Sequence, residues 1–107
     1  QDAELAGIQR IIAGEQYMTV YKAIRPEAQI AAAMAVALAT GEDPELGEYQ
    51  ISEIEDGSGE TVQAVLLEPI AVTAENVGDT VVSDGIYSIE EICTDDYADT
   101  EFCKEAL

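Results

Sequence analysis

The chain has 107 residues, which suits one small domain and is short for two, since domains usually run ~100–200 residues. A hydrophobic share of 48% is enough to bury a core and argues against disorder over most of the length. Only 4 Lys+Arg stand against 23 Asp+Glu, a formal net charge of −19. Such a chain has almost no cations with which to displace counterions from phosphate or approach an anionic membrane, so nucleic acid and lipid are excluded as primary partners.

Histidine is absent, which removes the usual general base near neutral pH and the commonest metal ligand. No stretch approaches the ~20 apolar residues of a membrane helix, and the alanine-rich run at 31–39 is too short. The opening Gln1-Asp2 lacks Met and a basic, apolar leader, as in a trimmed or cleaved chain. Residence in the cell is therefore not legible from that end.

The chain begins with Leu5, Ile8 and Ile12 at helical spacing, predicting a helix over 2–13. Asp2 stands where an N-cap belongs, and Gly14 where a left-handed residue ends a helix. Residues 17–21 (Tyr-Met-Thr-Val-Tyr) predict a strand, which makes helix and strand half of a βαβ unit. Pro26 opens a second helix reaching Thr40, apolar on almost every side and so expected to be packed on more than one face. Gly41 ends it and Pro44 prevents it from resuming. Residues 42–60 are acidic and glycine-bearing, a solvated excursion or short hairpin turning at Gly57-Ser58-Gly59. A second strong strand is expected over Thr61–Leu67, turning or reaching an edge at Pro69. Thr73 is placed to cap a short helical segment carrying Val77 and Val81. Ser88 and Glu91 have capping-box spacing for a last helix into Cys93, and the tail to Leu107 is acidic.

Cys93 and Cys103 do not form a CxxC pair, and two thiols alone cannot complete a zinc site. A disulfide closing a surface loop is preferred to two unrelated thiols in a reducing compartment, and it implies a place outside the cytosol. The acidic stretch 53–60 invites comparison with a calcium loop, but with Gly57 or Gly59 as the invariant glycine Ile54 falls at a ligand position. The cluster Asp95, Asp96, Asp99 and Glu101 reads as a solvated face. Acidic pairs arise by chance in so acidic a chain, so none is taken as catalytic. No metal, cofactor or catalytic residue is assigned.

Asp2 and Lys22 are more informative. If a strand precedes Gln1, Asp2 lies at its carboxyl end, and Lys22 arrives at the carboxyl end of the neighbouring strand, the rim where doubly wound sheets bind ligands. An acceptor and a charged donor together suit a polyhydroxylated ligand. Each alone reads as a helix cap and a surface lysine.

Residues 1–6 (Gln-Asp-Ala-Glu-Leu-Ala), 8–14 (Ile-Gln-Arg-Ile-Ile-Ala-Gly) and 18–22 (Met-Thr-Val-Tyr-Lys) resemble the xylose-binding proteins of bacterial sugar import. The likeness runs through the alanine-rich helix to Gly41 and resumes at 66–72 and 76–85. It covers about the last third of such a protein, whose two lobes of ordinary domain size make about 300 residues in all. The resemblance implies an α/β chain, part of a two-lobed periplasmic-binding-protein fold of type I, three-layer α/β/α with parallel sheets. Residues 1–22 and 62–107 would belong to the C-terminal lobe, and 23–61 to a hinge crossing and the N-terminal lobe. It implies that Asp2 and Lys22 contact sugar hydroxyls and that Ala23, Ile24 and Arg25 form a hinge segment. The acidic 42–60 excursion and the two-cysteine tail depart from the family, away from the sugar positions.

The function implied is capture of a monosaccharide, a xylose-like pentose or related sugar, for the permease of an ABC transporter, without chemistry or cofactor. The setting is extracytoplasmic, in the periplasm or on the cell surface as a lipoprotein. The alternative is a small secreted acidic module that binds a protein partner or calcium; an α/β enzyme fragment lacks a nucleophile–base pair. As a fragment, the chain is expected to self-associate or to pair with the rest of its parent.

Overall fold

The computed structural model describes residues 1–107, which divide into two units: Gln1–Lys22 with Pro69–Leu107, and Ala23–Glu68. The first contains α1 (Leu5–Ile12), β1 (Thr19–Tyr21), β4 (Ile70–Val72), a π-helical turn (Gly78–Val82), α3 (Ile89–Ile92) and α4 (Glu101–Ala106). The second contains α2 (Ile24–Thr40), β2 (Ser52–Glu55) and β3 (Thr61–Ala64). The chain contains both helices and strands, an α/β composition as expected.

In the first unit, α1 buries Ile8, Ile11 and Ile12, the apolar stripe that the helical spacing sets out. Its start differs from the expected one. Glu4 is the N-cap residue and makes no side-chain cap bond, while Asp2 sits at φ 73° with its backbone against β1. Asp2 is not the cap because the helix starts only at Leu5 and the Asp2 carboxylate is engaged by Lys22 instead. Beyond Ala13, Gly14 takes the left-handed conformation at φ 79°, where a side chain would be strained.

β1 pairs with β4 in the register Thr19↔Val72 and Tyr21↔Ile70. Strand alternation turns Thr19 and Tyr21 inward, both buried, with Val20 between them half-buried. Parallel sheets were the expectation; both strand pairs in the chain are antiparallel. The register gives the reason for the first pair. The chain leaves the unit just after Tyr21 and re-enters beside it at Ile70, so the returning strand must run the other way.

After β4, the Thr73 amide donates to Asn76 Oδ1 at 2.8 Å, so Asn76, rather than Thr73, supplies the capping side chain. Val77 and Val81 are fully buried, and the turn that carries them is π-helical, with Ser83 N–H bonded to the Gly78 carbonyl. α3 opens with the expected capping box. Ser88 accepts from the Glu91 amide, and the Glu91 carboxylate accepts from the Ser88 amide.

In the second unit, α2 begins at Ile24, ahead of Pro26, which lies in the first turn where amides have no intrahelical partner. Gly41 ends it at φ 74°. Only Ile30 and Ala37 of this helix are buried, and Val36 and Leu38 remain 62% and 88% exposed. Packing on more than one face is therefore not achieved within this chain. The 42–60 excursion does contain a hairpin: β2 pairs with β3, Ser52↔Ala64 to Glu55↔Thr61. Asp56 Oδ1 holds its turn, accepting from the Ser58 amide at 2.8 Å, the Ser58 hydroxyl at 2.6 Å and the Glu60 amide at 3.0 Å. These bonds, the Ser58 side chain's first, hold the Asp56 carboxyl below its ordinary range. The strand expected over Thr61–Leu67 stops at Ala64, and its partner is the acidic β2. The second unit runs on through Glu68, and Pro69 opens the return to the first.

Candidate functional site

β1 ends at Tyr21, and Lys22 extends from its carboxyl end. The Asp2–Ala3 turn lies against the same strand. The Asp2 amide donates to the Val20 carbonyl, and the Ala3 amide donates to Thr19 Oγ1 at 3.2 Å. These contacts bring Asp2 Oδ1 to 2.6 Å from Lys22 Nζ, with the two side chains 59% and 48% exposed. The hydrogen bond from Lys22 holds the Asp2 carboxyl below its ordinary 3.8, and the lysine's positive charge adds to the effect against a smaller-than-offsetting cost of partial dehydration. The result is an anion beside a cation, both accessible to solvent: an acceptor and a charged donor that a polar ligand can meet.

The remaining residues singled out from the sequence fall as follows. Ala23 is the extended N-cap residue of α2, and Ile24 and Arg25 form its first turn, directly after the last residue of the first unit's opening segment. Cys93 and Cys103 are bonded, with Cα atoms 5.7 Å apart. Cys103 is fully buried on α4, so the bond ties the acidic tail to the end of α3. No group of three or more His, Cys, Asp or Glu side chains is placed to hold a metal ion.

Sequence reasoning missed the supports of the Asp2–Lys22 pair. Strand alternation places Thr19 and Tyr21 on one face, a signal that was present, but their partners are distant in the chain. Tyr21 donates its hydroxyl to Asp84 Oδ2 at 2.8 Å, across 63 residues. Gln9 of α1 likewise donates to the Ile92 carbonyl and to Thr94 Oγ1, each at 3.2 Å, so α1 caps the end of α3. An open groove of about 430 Å³ lies elsewhere in the unit, between Ile12, Gly78 and Phe102 with acidic residues around it, and does not include Asp2 or Lys22.

No family model matches the chain. It is similar to the D-xylose-binding periplasmic protein of Escherichia coli strain K12, 44% identical over 92 residues, covering 86% of this chain and 26% of that protein. The D-xylose-binding periplasmic protein of Haemophilus influenzae is 45% identical over 92 residues, with the same coverage. Its fold matches a carbohydrate transporter solute-binding protein of Chloroflexus aurantiacus, solved with D-glucose, at a TM-score of 0.72 and 35% identity over 85% of this chain and 25% of that one. The chain matches the C-terminal part of the periplasmic sugar-binding proteins. It spans about a quarter of the length of the curated relatives it matches. Its fold is the type I periplasmic one, as an ABC transporter solute-binding protein of Clostridium phytofermentans at a TM-score of 0.70 also indicates.

Proposed function

We propose that the chain is part of the extracytoplasmic solute-binding component of a bacterial ABC sugar importer. In this reading Asp2 and Lys22 meet the hydroxyls of a monosaccharide held between two lobes, and Ala23, Ile24 and Arg25 form a hinge segment. The units Gln1–Lys22 with Pro69–Leu107 and Ala23–Glu68 would be parts of the C-terminal and N-terminal lobes. The loaded protein delivers its sugar to a membrane permease and performs no reaction. The observation that carries the proposal is the Asp2–Lys22 pair, close, half exposed and unneeded by the core. The relatives' named sugars support a pentose or hexose ligand, with a xylose-like pentose the finer reading. The disulfide supports an oxidising compartment, the periplasm or the outer cell surface. The relatives do not favour an acidic calcium- or protein-binding module.

The test is isothermal titration of the intact protein against a panel of pentoses and hexoses, repeated with Asp2→Ala. Removing a charge-assisted acceptor should weaken the preferred sugar about ten- to a hundredfold. An unchanged affinity in that variant removes Asp2 from the site, and no binding to any sugar removes the function.

A further inference from the structure

Asp2 and Ala3 both have positive φ, 73° and 50°. L-residues visit this region singly; Asp is tolerated there because its short side chain can bond locally, but Ala has no such compensation. A strained pair persists only where its surroundings over-determine it. Here the constraint is a pair of successive amides bonded to β1, Asp2 N–H to the Val20 carbonyl at 2.9 Å and Ala3 N–H to Thr19 Oγ1 at 3.2 Å. Thr19 and Ala3 are each 2% exposed, so without that hydroxyl the Ala3 amide would be buried with no acceptor. An exposed ion pair contributes little to stability, so the bond of Asp2 to Lys22 does not by itself account for a strained, buried support beneath it. The support does fix geometry. Thr19 and Lys22 issue from the same strand, so one rigid element sets both halves of the pair.

We propose that Thr19 is a positioning residue: by accepting from the buried Ala3 amide, its hydroxyl fixes the left-handed Asp2–Ala3 turn and aims the Asp2 carboxylate at Lys22. Valine would serve the strand and fill the space as well, but only threonine or serine supplies the acceptor, and the β-branch holds the threonine rotamer stiffly. The consequence for ligand binding rests on the sugar-binding reading above; the positioning can be read without any sugar.

The experiment compares Thr19→Val, which keeps the shape and loses the acceptor, with Thr19→Ser, which restores it, both in the intact protein. The readouts are the NMR titration of the Asp2 carboxyl and calorimetric titration with D-xylose and D-glucose. Thr19→Val should move the Asp2 titration up toward its ordinary 3.8 and weaken sugar binding. The weakening expected is roughly threefold to tenfold, the worth of one hydrogen bond. Thr19→Ser should return both toward wild type, an outcome that a general loss of packing would not produce. A Thr19→Val protein with the wild-type Asp2 titration overturns the proposal. If the wild type binds neither sugar, the functional reading fails, and the Asp2 titration still decides the role of Thr19. Should Thr19→Val not fold, amide exchange in the wild type decides: an Ala3 amide protected like those of β1 supports the proposal, and one that exchanges freely overturns it.

Discussion

Asp2 is available to Lys22 because it does not cap α1. Its backbone is bonded to β1 and its carboxylate leans over the end of that strand, leaving the uncapped start of the helix to Glu4. The folded carboxyl titrates below its ordinary 3.8, chiefly through the hydrogen bond from Lys22. A depressed acid contributes its stabilisation above the unfolded value and loses it as pH falls through the folded one. The pair should therefore be intact at neutral pH and come apart only below 3.8. Because both side chains face solvent, the effect on global stability is small and screened by salt. Sugar affinity is the sensitive readout: it should stay level from neutral pH down to 3.8 and fall as the carboxyl is protonated below it. Calorimetry across that range, with Asp2→Asn as the pH-insensitive control, checks this. A decline that begins near neutrality would assign the dependence to another group.

At the scale of elements, α3 and α4 are short, and neither would hold its place by helix propensity alone. α3 has its capping box at one end and Gln9 from α1 at the other. α4 has Thr100 as its N-cap and the bond from buried Cys103 to Cys93. A loop of this size contributes about 3 kcal/mol in the chain-entropy account of disulfides, comparable to a buried side chain. Replacing both cysteines by alanine should lower unfolding stability by about that amount in urea titrations. Alkylation and mass spectrometry without reductant should find no free thiol. Two alkylated cysteines in the native protein would refute the pairing, and with it the argument for an oxidising compartment.

For the whole molecule, both sheets have two strands, so every strand is an edge. The apolar side chains Ile24, Val36 and Leu38 on α2 are 70%, 62% and 88% exposed. Unpaired edges and uncovered apolar faces recruit other chains. The 107-residue chain by itself should associate, with copies of itself or with the rest of a longer parent, at micromolar concentration. It should also bind sugar poorly. Two charge-assisted hydrogen bonds do little more than offset the loss of translational and rotational freedom, roughly 4 kcal/mol at the least. Sedimentation equilibrium and calorimetry on this chain check both. A folded monomer that binds a pentose tightly would mean that the site is complete within these residues.

Some of this was decided locally and some was not. The stripe Ile8–Ile12, the stops at Gly14 and Gly41, the hairpin around Gly57–Gly59, the capping box at Ser88 and the pairing of two cysteines each depend on neighbours in sequence. The residue types carry them by periodicity, by tolerance of positive φ or by reach. Asp2 and Lys22 could be singled out in the same way, as an acceptor and a donor separated by one helix and one strand. Other features hinge on what the chain meets after turning back on itself. Asp2 left the helix for β1, β4 returned antiparallel because the chain re-enters where it left, and Thr61–Ala64 found the acidic β2 as its partner. Thr19 under Ala3 and Asp84 beside Tyr21 belong to that second class. A hydrogen bond between segments far apart in sequence leaves no period to read, so only the folded chain reveals that the Thr19 hydroxyl meets the Ala3 amide.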